Sequence, residues 1–95
     1  MIDRITKNEE RLDNLLDVVR EVENVLDIFK LCKKDYYLLN KYYGSKNWFK
    51  DKEEYENGSI KVKAGVLSED AVWNLNERVN ELVLEMKHIS DMYKR

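Results

Sequence analysis

A chain of 95 residues has room for one modest core, and its formal net charge of −2 supplies no global field that would attract nucleic acid or acidic membranes. Charged residues make up 38% of the sequence and hydrophobic residues 43%, a balance typical of solvated helices around a narrow apolar seam. The chain has no proline, and its three glycines all lie between residues 44 and 65. Because helix breakers are confined to that segment, the sequence predicts an all-α fold.

The sequence also predicts a cytoplasmic protein with no membrane partner. No stretch approaches the roughly 18 consecutive apolar residues of a membrane span. Residues 1–4 lack the apolar run of a signal peptide. Cys32 is the only cysteine, so it cannot form a disulfide within the chain. No histidine lies near it in the sequence, and we interpret it as a buried structural residue.

The first third of the chain has the periodicity of an amphipathic helix, which we predict over about 4–31. Apolar residues recur there at steps of three and four, as one helix face requires. Further apolar positions widen this stripe to the breadth of a helix in a bundle. The stripe and its continuation consist of Ile5, Leu12, Leu15, Val19, Val22, Leu26, Phe29, Tyr36 and Tyr43, flanked by Leu16, Val25, Cys32 and Leu39.

We expect a kink or break at residues 32–35. A cluster of lysines, which is typical of a helix carboxyl end, comes directly before Asp35, which suits an amino-terminal cap. Lys33 also occupies a stripe position where the pattern requires an apolar residue. A second, short helix is therefore predicted over about 35–43.

The segment 44–67, called the elbow below, interrupts the helical pattern. Gly44 follows the last periodic residue and is predicted to end the helix in a left-handed conformation. Ser45 or Asn47 can then cap a short aromatic helix, which Asn57-Gly58 would end.

An alternative interpretation takes Asn57-Gly58 as the turn of a β-hairpin, with Ile60 and Val62 alternating on one side. The residues on the other side of the turn show no alternation, which favours the short helix. We expect an extended connector from Ile60 to Gly65.

The last helix is predicted over about 68–93, where the spacing of apolar residues is most regular. Ser68 is the predicted cap, and the negative charges of the acidic residues after it interact favourably with the positive end of the helix dipole. Leu67 and Val72 have the spacing of a hydrophobic staple. The apolar row consists of Val72, Leu75, Val79, Leu82, Met86, Ile89 and Tyr93.

Together these elements predict one domain over residues 1–95, a long antiparallel helical hairpin similar to a three-helix bundle. Both long helices carry more apolar surface than one partner helix can cover. We therefore expect a homodimer with a four-helix core, although the short helix could cover the surplus in a monomer. The surplus comprises Leu12, Leu15, Leu16, Val18, Val19, Val22 and Val25 in the first helix and Trp73, Val83 and Leu84 in the last.

The elbow and its flanks carry a motif that points to a family. Tyr-Tyr-Gly-Ser, then a tryptophan and an aspartate, then Gly-Val-Leu-Ser-Glu-Asp, resembles a family of small bacterial and phage helical proteins known only as a domain of unknown function. The resemblance covers nearly the whole chain and implies a helical fold, but it supplies no activity. As a structural or partner-binding elbow it nominates Tyr42, Tyr43, Gly44, Ser45, Trp48, Asp51, Gly65, Leu67, Ser68, Glu69 and Asp70.

The residues that could carry catalysis are too scattered to form a site. His88, the only histidine, lies twenty residues from Ser68 on the same predicted helix, roughly 30 Å along its axis. No histidine, cysteine and carboxylate spacing matches a metal site, and no glycine-rich loop could hold phosphate. We predict neither an enzyme nor a cofactor or metal site.

The middle of the chain combines basic charge with aromatic residues. Residues 31–63 hold eight basic and five acidic side chains, a net of +3, together with seven of the ten aromatics. Such a combination can bind single-stranded nucleic acid, a nucleotide or another anion. We favour the interpretation of a packed aromatic core with a solvated lysine rim, because a net charge of +3 is a weak field and Asp51, Glu53 and Glu54 interrupt it. The candidate anion contacts are Lys41, Lys46 and Lys50.

The favoured function is that of a small protein-interaction module whose surplus apolar surface or elbow binds another protein. By analogy with the setting of the family, a phage or mobile-element regulator of a host protein fits this description. The alternative is an anion, nucleotide or single-stranded nucleic-acid binder that uses the basic aromatic elbow.

Overall fold

The computed structural model describes all residues from Met1 to Arg95 and contains helices and no strand, which confirms the all-α prediction. The chain divides into two units, residues 1–36 and residues 37–95, which we call unit 1 and unit 2. The antiparallel pairing of the two long helices stays a prediction. The elements are α1 (Ile2–Leu31), α2 (Lys33–Tyr42), α3 (Lys46–Glu56), a 3-10 turn (Gly65–Leu67) and α4 (Ala71–Met92).

Unit 1 consists mainly of α1, a helix of 30 residues with no buried residue. The apolar positions recur at helical spacing, yet the side chains along the stripe are about half exposed. A single helix has nothing within its own unit against which this face can pack. Unit 1 therefore has an amphipathic helix without a core.

The break between α1 and α2 is a single residue, Cys32. Its backbone stays in the right-handed helical region, and its carbonyl already accepts the N–H of Tyr36 at 2.9 Å. Because helical hydrogen bonding resumes at Cys32, Asp35 lies in the first turn of α2 and is not its cap, contrary to our expectation. The prediction that Cys32 is buried is also wrong, since the thiol lies on the edge of the stripe where no other element of unit 1 covers it.

The turn before α3 follows from two residues. Gly44 has a φ of +76°, a left-handed conformation that glycine adopts without the steric cost of a Cβ atom. Ser45 is extended, and its hydroxyl oxygen accepts the N–H of Trp48 at 3.2 Å, so it caps α3. α3 then continues to Glu56 and ends at Asn57 and Gly58, where the alternative interpretation expected a hairpin.

The start of α4 differs from the predicted start at Ser68. The Ser68 hydroxyl donates to the carbonyl of Gly65 at 2.9 Å and accepts the N–H of Ala71 at 3.1 Å. Ser68 therefore bridges the 3-10 turn and the helix, as a capping hydroxyl does. Regular helical bonding begins only with the N–H of Asn74 donating to the carbonyl of Asp70, because Glu69 and Asp70 form a turn first.

None of the four α-helices combines the length and the apolar character needed to cross a lipid bilayer.

We predict that Gly44→Ala destabilises the protein by about 1–2 kcal/mol, because a Cβ atom is strained in the left-handed conformation. The free space around Gly44 does not remove this cost, which is conformational and independent of neighbouring atoms. The measurement is the free energy of unfolding from urea denaturation.

Gly65→Ala is the matched control, since Gly65 has an ordinary φ and also has free space at the Cβ position. We expect this variant to be neutral or stabilised by up to about 1 kcal/mol through the lower entropy of the unfolded chain. Equal destabilisation by the two variants would contradict the assignment of Gly44 as the conformational constraint.

Candidate functional site

The buried core of unit 2 consists of three residues, Trp48, Leu67 and Val72, which are 4%, 7% and 3% exposed. They come from α3, from the 3-10 turn and from the first turn of α4, and the 3-10 turn packs against both helices. We call this cluster the elbow core. The predicted staple residues Leu67 and Val72 are both part of it.

Trp48 fixes the geometry of the elbow core through its indole nitrogen. Its Nε1–H donates to the carbonyl oxygen of Val66 at 2.9 Å. A buried indole N–H without a partner would cost about 1–3 kcal/mol, so this bond constrains the 3-10 turn relative to α3. The backbone N–H of Trp48 is satisfied as well, by the Ser45 hydroxyl.

The surfaces of the Trp48 ring are occupied by neighbouring side chains. Tyr43 and Phe49 contact it edge-on, with centroid distances of 5.3 and 4.9 Å and interplanar angles of 78° and 84°. Lys52 places its ammonium 5.1 Å from the ring centroid, a cation–π contact, and also pairs with Glu69 at 3.2 Å. A base or other planar ligand therefore has no free face of Trp48 on which to stack.

Two tyrosine hydroxyls at the end of α2 and directly after it bond to later parts of the chain. Tyr43 donates to the backbone carbonyl of Glu69 at 2.7 Å, and Tyr42 donates to the carboxylate of Asp51 at 2.6 Å. The hydrogen bond to Asp51 raises the pKa of Tyr42 from 10.0 to about 12, and burial and the negative charge of Asp51 act in the same direction. Tyr42 thus stays neutral and acts as a hydrogen-bond donor, not as a base.

The structure brings most of the nominated residues together, although in several distinct contacts. Trp48 and Leu67 belong to the elbow core, Tyr43 contacts the Trp48 ring and bonds to the backbone of Glu69, and Tyr42 pairs with Asp51. The other nominated residues shape the backbone: Gly44, Ser45, Gly65 and Ser68 form turns and caps, while Asp70 occupies the position before α4 without a side-chain bond to the helix. The candidate anion contacts Lys41, Lys46 and Lys50 are exposed on the surface of the helices.

Sequence reasoning missed four residues that contribute to this site. Asn40 and Asn76 exchange two side-chain amide hydrogen bonds, at 3.2 and 2.7 Å, between α2 and α4. Lys52 and the carbonyl of Val66 were also missed. The position of Asn76 next to the apolar row could have indicated a half-buried amide, but nothing local identifies a partner 36 residues away.

A broad, shallow depression lies within the elbow, between the end of α3 and the connector. It has a volume of about 630 Å³ and is lined by Tyr55, Glu56 and the segment 60–63. Two lysines and one glutamate give its rim mixed charge, and no polar side chain is buried within it. The depression has neither the enclosure nor the converging polar groups of a small-molecule site.

Comparison with protein families gives a match to Domain of unknown function (DUF4298) over residues 5–89. No curated protein and no solved structure matches the chain.

We predict that Trp48→Ala destabilises the protein by about 3–5 kcal/mol, the usual cost of truncating a buried large aromatic residue. The loss combines a cavity with an unpaired carbonyl at Val66. Phe49→Ala is the matched control, because Phe49 is the next residue on the same helix and is 60% exposed. Its loss should stay near about 1 kcal/mol, the value of one aromatic contact. Similar losses in the two denaturation curves would mean that Trp48 is not the residue on which unit 2 depends.

We predict that the stability contributed by Tyr42 disappears at high pH. Its folded-state pKa of about 12 lies above the value of 10.0 for a free tyrosine, so the contribution is fully present below pH 10 and is lost as pH rises towards 12. The measurement is the free energy of urea unfolding of the protein and of Tyr42→Phe at pH 8 and at pH 11. The other tyrosines ionise in both proteins, so their effect cancels in the difference between the two free energies. A stability difference that is unchanged between the two pH values would contradict the hydrogen bond to Asp51.

Proposed function

The chain belongs to the family described as Domain of unknown function (DUF4298), and we propose that it is a non-enzymatic, cytosolic protein-interaction module that binds a partner through α4. One observation carries the proposal. Along α4 a row of apolar side chains, which we call the α4 face, lies at helical spacing with each residue 38–50% exposed: Leu75, Leu82, Met86 and Ile89.

The spacing of the α4 face supports a helical partner. Residues at steps of three and four lie on one side of a helix, and such a row binds by packing its side chains between those of a second helix. Amphipathic helices that dock on grooves or on other helices use anchors with this spacing. A row that is only half exposed on the free helix can become fully buried in such a complex.

The elbow core holds this helix in place. Val72, in the first turn of α4, is buried with Trp48 and Leu67, whereas no residue after it is buried. The Asn40–Asn76 pair adds a second attachment one turn later. The remaining turns of α4 therefore carry the apolar row on a helix that is fixed at its start. Because the helix is already ordered, less conformational entropy is lost when a partner binds.

Charged side chains flank the α4 face and supply a polar rim. Arg78, Glu81 and Glu85 surround Leu82 at the middle of the helix. In protein interfaces the apolar centre supplies most of the affinity, and rim charges select the partner and its orientation. We infer a partner helix whose apolar stripe is bordered by charges of both signs.

For the biological setting we propose a phage or mobile-element regulator that acts on a host protein. This part of the proposal is supported by the resemblance of the elbow motif alone.

A second candidate function is supported by Phe49. This ring is 60% exposed on α3, and the exposed lysines at positions 46 and 50 lie on either side of it along the helix. An exposed aromatic between lysines can stack on a base while the ammonium groups pair with phosphates. The occupied ring of Trp48 limits this surface to one stacking residue, which is why we rank it second.

We predict that Leu82→Glu abolishes capture of the partner when tagged protein is incubated with native lysate. A charge at the centre of an apolar interface should lower the amount of captured partner by at least about tenfold. Leu84→Glu is the matched control, since Leu84 lies on the other side of α4 and is 68% exposed. Circular dichroism of both variants checks that α4 remains helical.

Salt distinguishes the two candidate functions. Capture through the α4 face should change little between about 50 and 200 mM salt, whereas binding through phosphate contacts weakens steeply over that range. Capture that survives Leu82→Glu, or that Leu84→Glu removes equally, would contradict the role of the α4 face. Loss of single-stranded DNA binding in Phe49→Ala, with a steep salt dependence, would favour the second candidate.

A further inference from the structure

Unit 1 carries an apolar row that its own unit leaves uncovered. In a heptad frame, α1 places Ile5, Leu12, Val19 and Leu26 at the a positions and Asn8, Leu15, Val22 and Phe29 at the d positions. The six aliphatic residues of this row are 37–58% exposed, and no residue of α1 is buried. We call the row the α1 seam.

We propose that α1 pairs with α1 of a second copy of this chain in a parallel, two-stranded coiled coil. This inference goes beyond the proposed function, since it concerns a different helix and a different partner. The α1 seam runs for about 25 residues, roughly three and a half heptads, which reaches the length at which heptads of apolar residues form coiled coils. Most of the stability of a helix in a protein comes from packing of its apolar face, so a partner on the seam would stabilise α1.

The charges beside the seam match a parallel pair. Position g is occupied by Arg4, Arg11, Val18 and Val25, and position e by Glu9, Leu16, Glu23 and Lys30, so Arg4 and Glu9 form the one oppositely charged combination of these positions. In a parallel dimer each g residue faces the e residue of the following heptad in the other helix. Arg4 of each chain therefore faces Glu9 of the other, which gives two ion pairs related by the two-fold axis.

An antiparallel pair of the same helices is disfavoured by those charges. With Ile5 opposite Phe29 of the second copy, the e positions face each other, and Glu9 lies opposite Glu23 twice. The Asn8 amide then faces Leu26, an apolar side chain. In the parallel arrangement Asn8 faces its own equivalent, so no amide lies opposite an apolar side chain of the seam.

The carboxyl end of the seam coincides with the end of α1. The next a position after Leu26 is Lys33, and α1 stops at Leu31. Two like charges would face each other there in a parallel dimer. The sequence thus stops specifying pairing where the structure interrupts the helix.

Disulfide trapping tests the proposal directly. In a Cys32→Ser background, Leu15→Cys places one thiol at a d position, where the two copies of a parallel dimer approach closely enough to bond. Mild oxidation should convert most of the protein to a covalent dimer that reduction reverses. Asn14→Cys is the matched control, since Asn14 is the preceding residue, exposed and outside the seam, and it should give only collisional background.

The same variants report orientation. Mixing Leu15→Cys with Val19→Cys should give the two homodimers and little of the mixed product, because in-register parallel helices bring identical positions together. A dominant mixed product would show antiparallel pairing and overturn the proposal. Equal crosslinking at positions 14 and 15, or a mass of 11.4 kDa in light scattering at every concentration, would overturn it as well.

Charge reversal provides an independent measurement that leaves the apolar seam intact. Arg4→Glu replaces two attractions by two repulsions and should raise the dimer dissociation constant by about tenfold. Adding Glu9→Arg restores opposite charges at both pairs and should return the constant to its original value. Absence of this rescue would overturn the parallel register. None of these variants alters the α4 face, so their failure leaves the test of the proposed function untouched.

Discussion

The hydrogen bond from the Trp48 indole to the Val66 carbonyl is the contact on which the arrangement of unit 2 depends. A tryptophan can be buried only where its N–H finds an acceptor, and the acceptor here is a backbone atom of the 3-10 turn. Burial of the ring thus fixes not only α3 but also the segment that leads into α4. Leu67 and Val72 follow Val66 closely in the chain, so they are carried into the same core.

This anchoring explains why the elbow is a structural centre. The side chains that the motif singles out use their polar atoms on one another or on the backbone: Tyr43 on Glu69, Tyr42 on Asp51, and Ser68 on Gly65 and Ala71. A residue whose donors and acceptors are already paired has little to offer a ligand. The surfaces left for a partner are the apolar rows of the helices, which is why the proposed interaction lies on α4.

The parts of the fold that can be predicted from the sequence are those determined by residues close together along the chain. Gly44 and Ser45 define a helix end and a cap within four residues, and the apolar spacing of α4 identifies its apolar side, of which Val72 alone is buried. The start of α4 was misplaced by three residues because the 3-10 turn depends on Trp48, far back in the sequence. The Asn40–Asn76 and Lys52–Glu69 pairs were missed for the same reason, since residue type alone does not identify a distant partner. For Cys32 the prediction of burial was wrong for a different reason. Periodicity identifies the apolar face on which Cys32 lies, but periodicity alone does not say whether another element covers that face.

The two units meet the requirement to bury apolar surface in different ways. Unit 2 buries a core of only three residues within itself. Hydrogen bonds of Tyr42 and Tyr43, the Asn40–Asn76 amide pair and the Lys52 ammonium over the Trp48 ring add to its stability. Unit 1 has no buried residue in α1, although its apolar residues keep helical spacing over the whole helix. Solvent-exposed helices do not need such a regular stripe, because their stability gains nothing from apolar side chains that remain in water. The regularity of the α1 seam is therefore best explained by a second helix that covers it, and the proposal of α1 from a second copy accounts for both the seam and the Arg4 and Glu9 charges beside it.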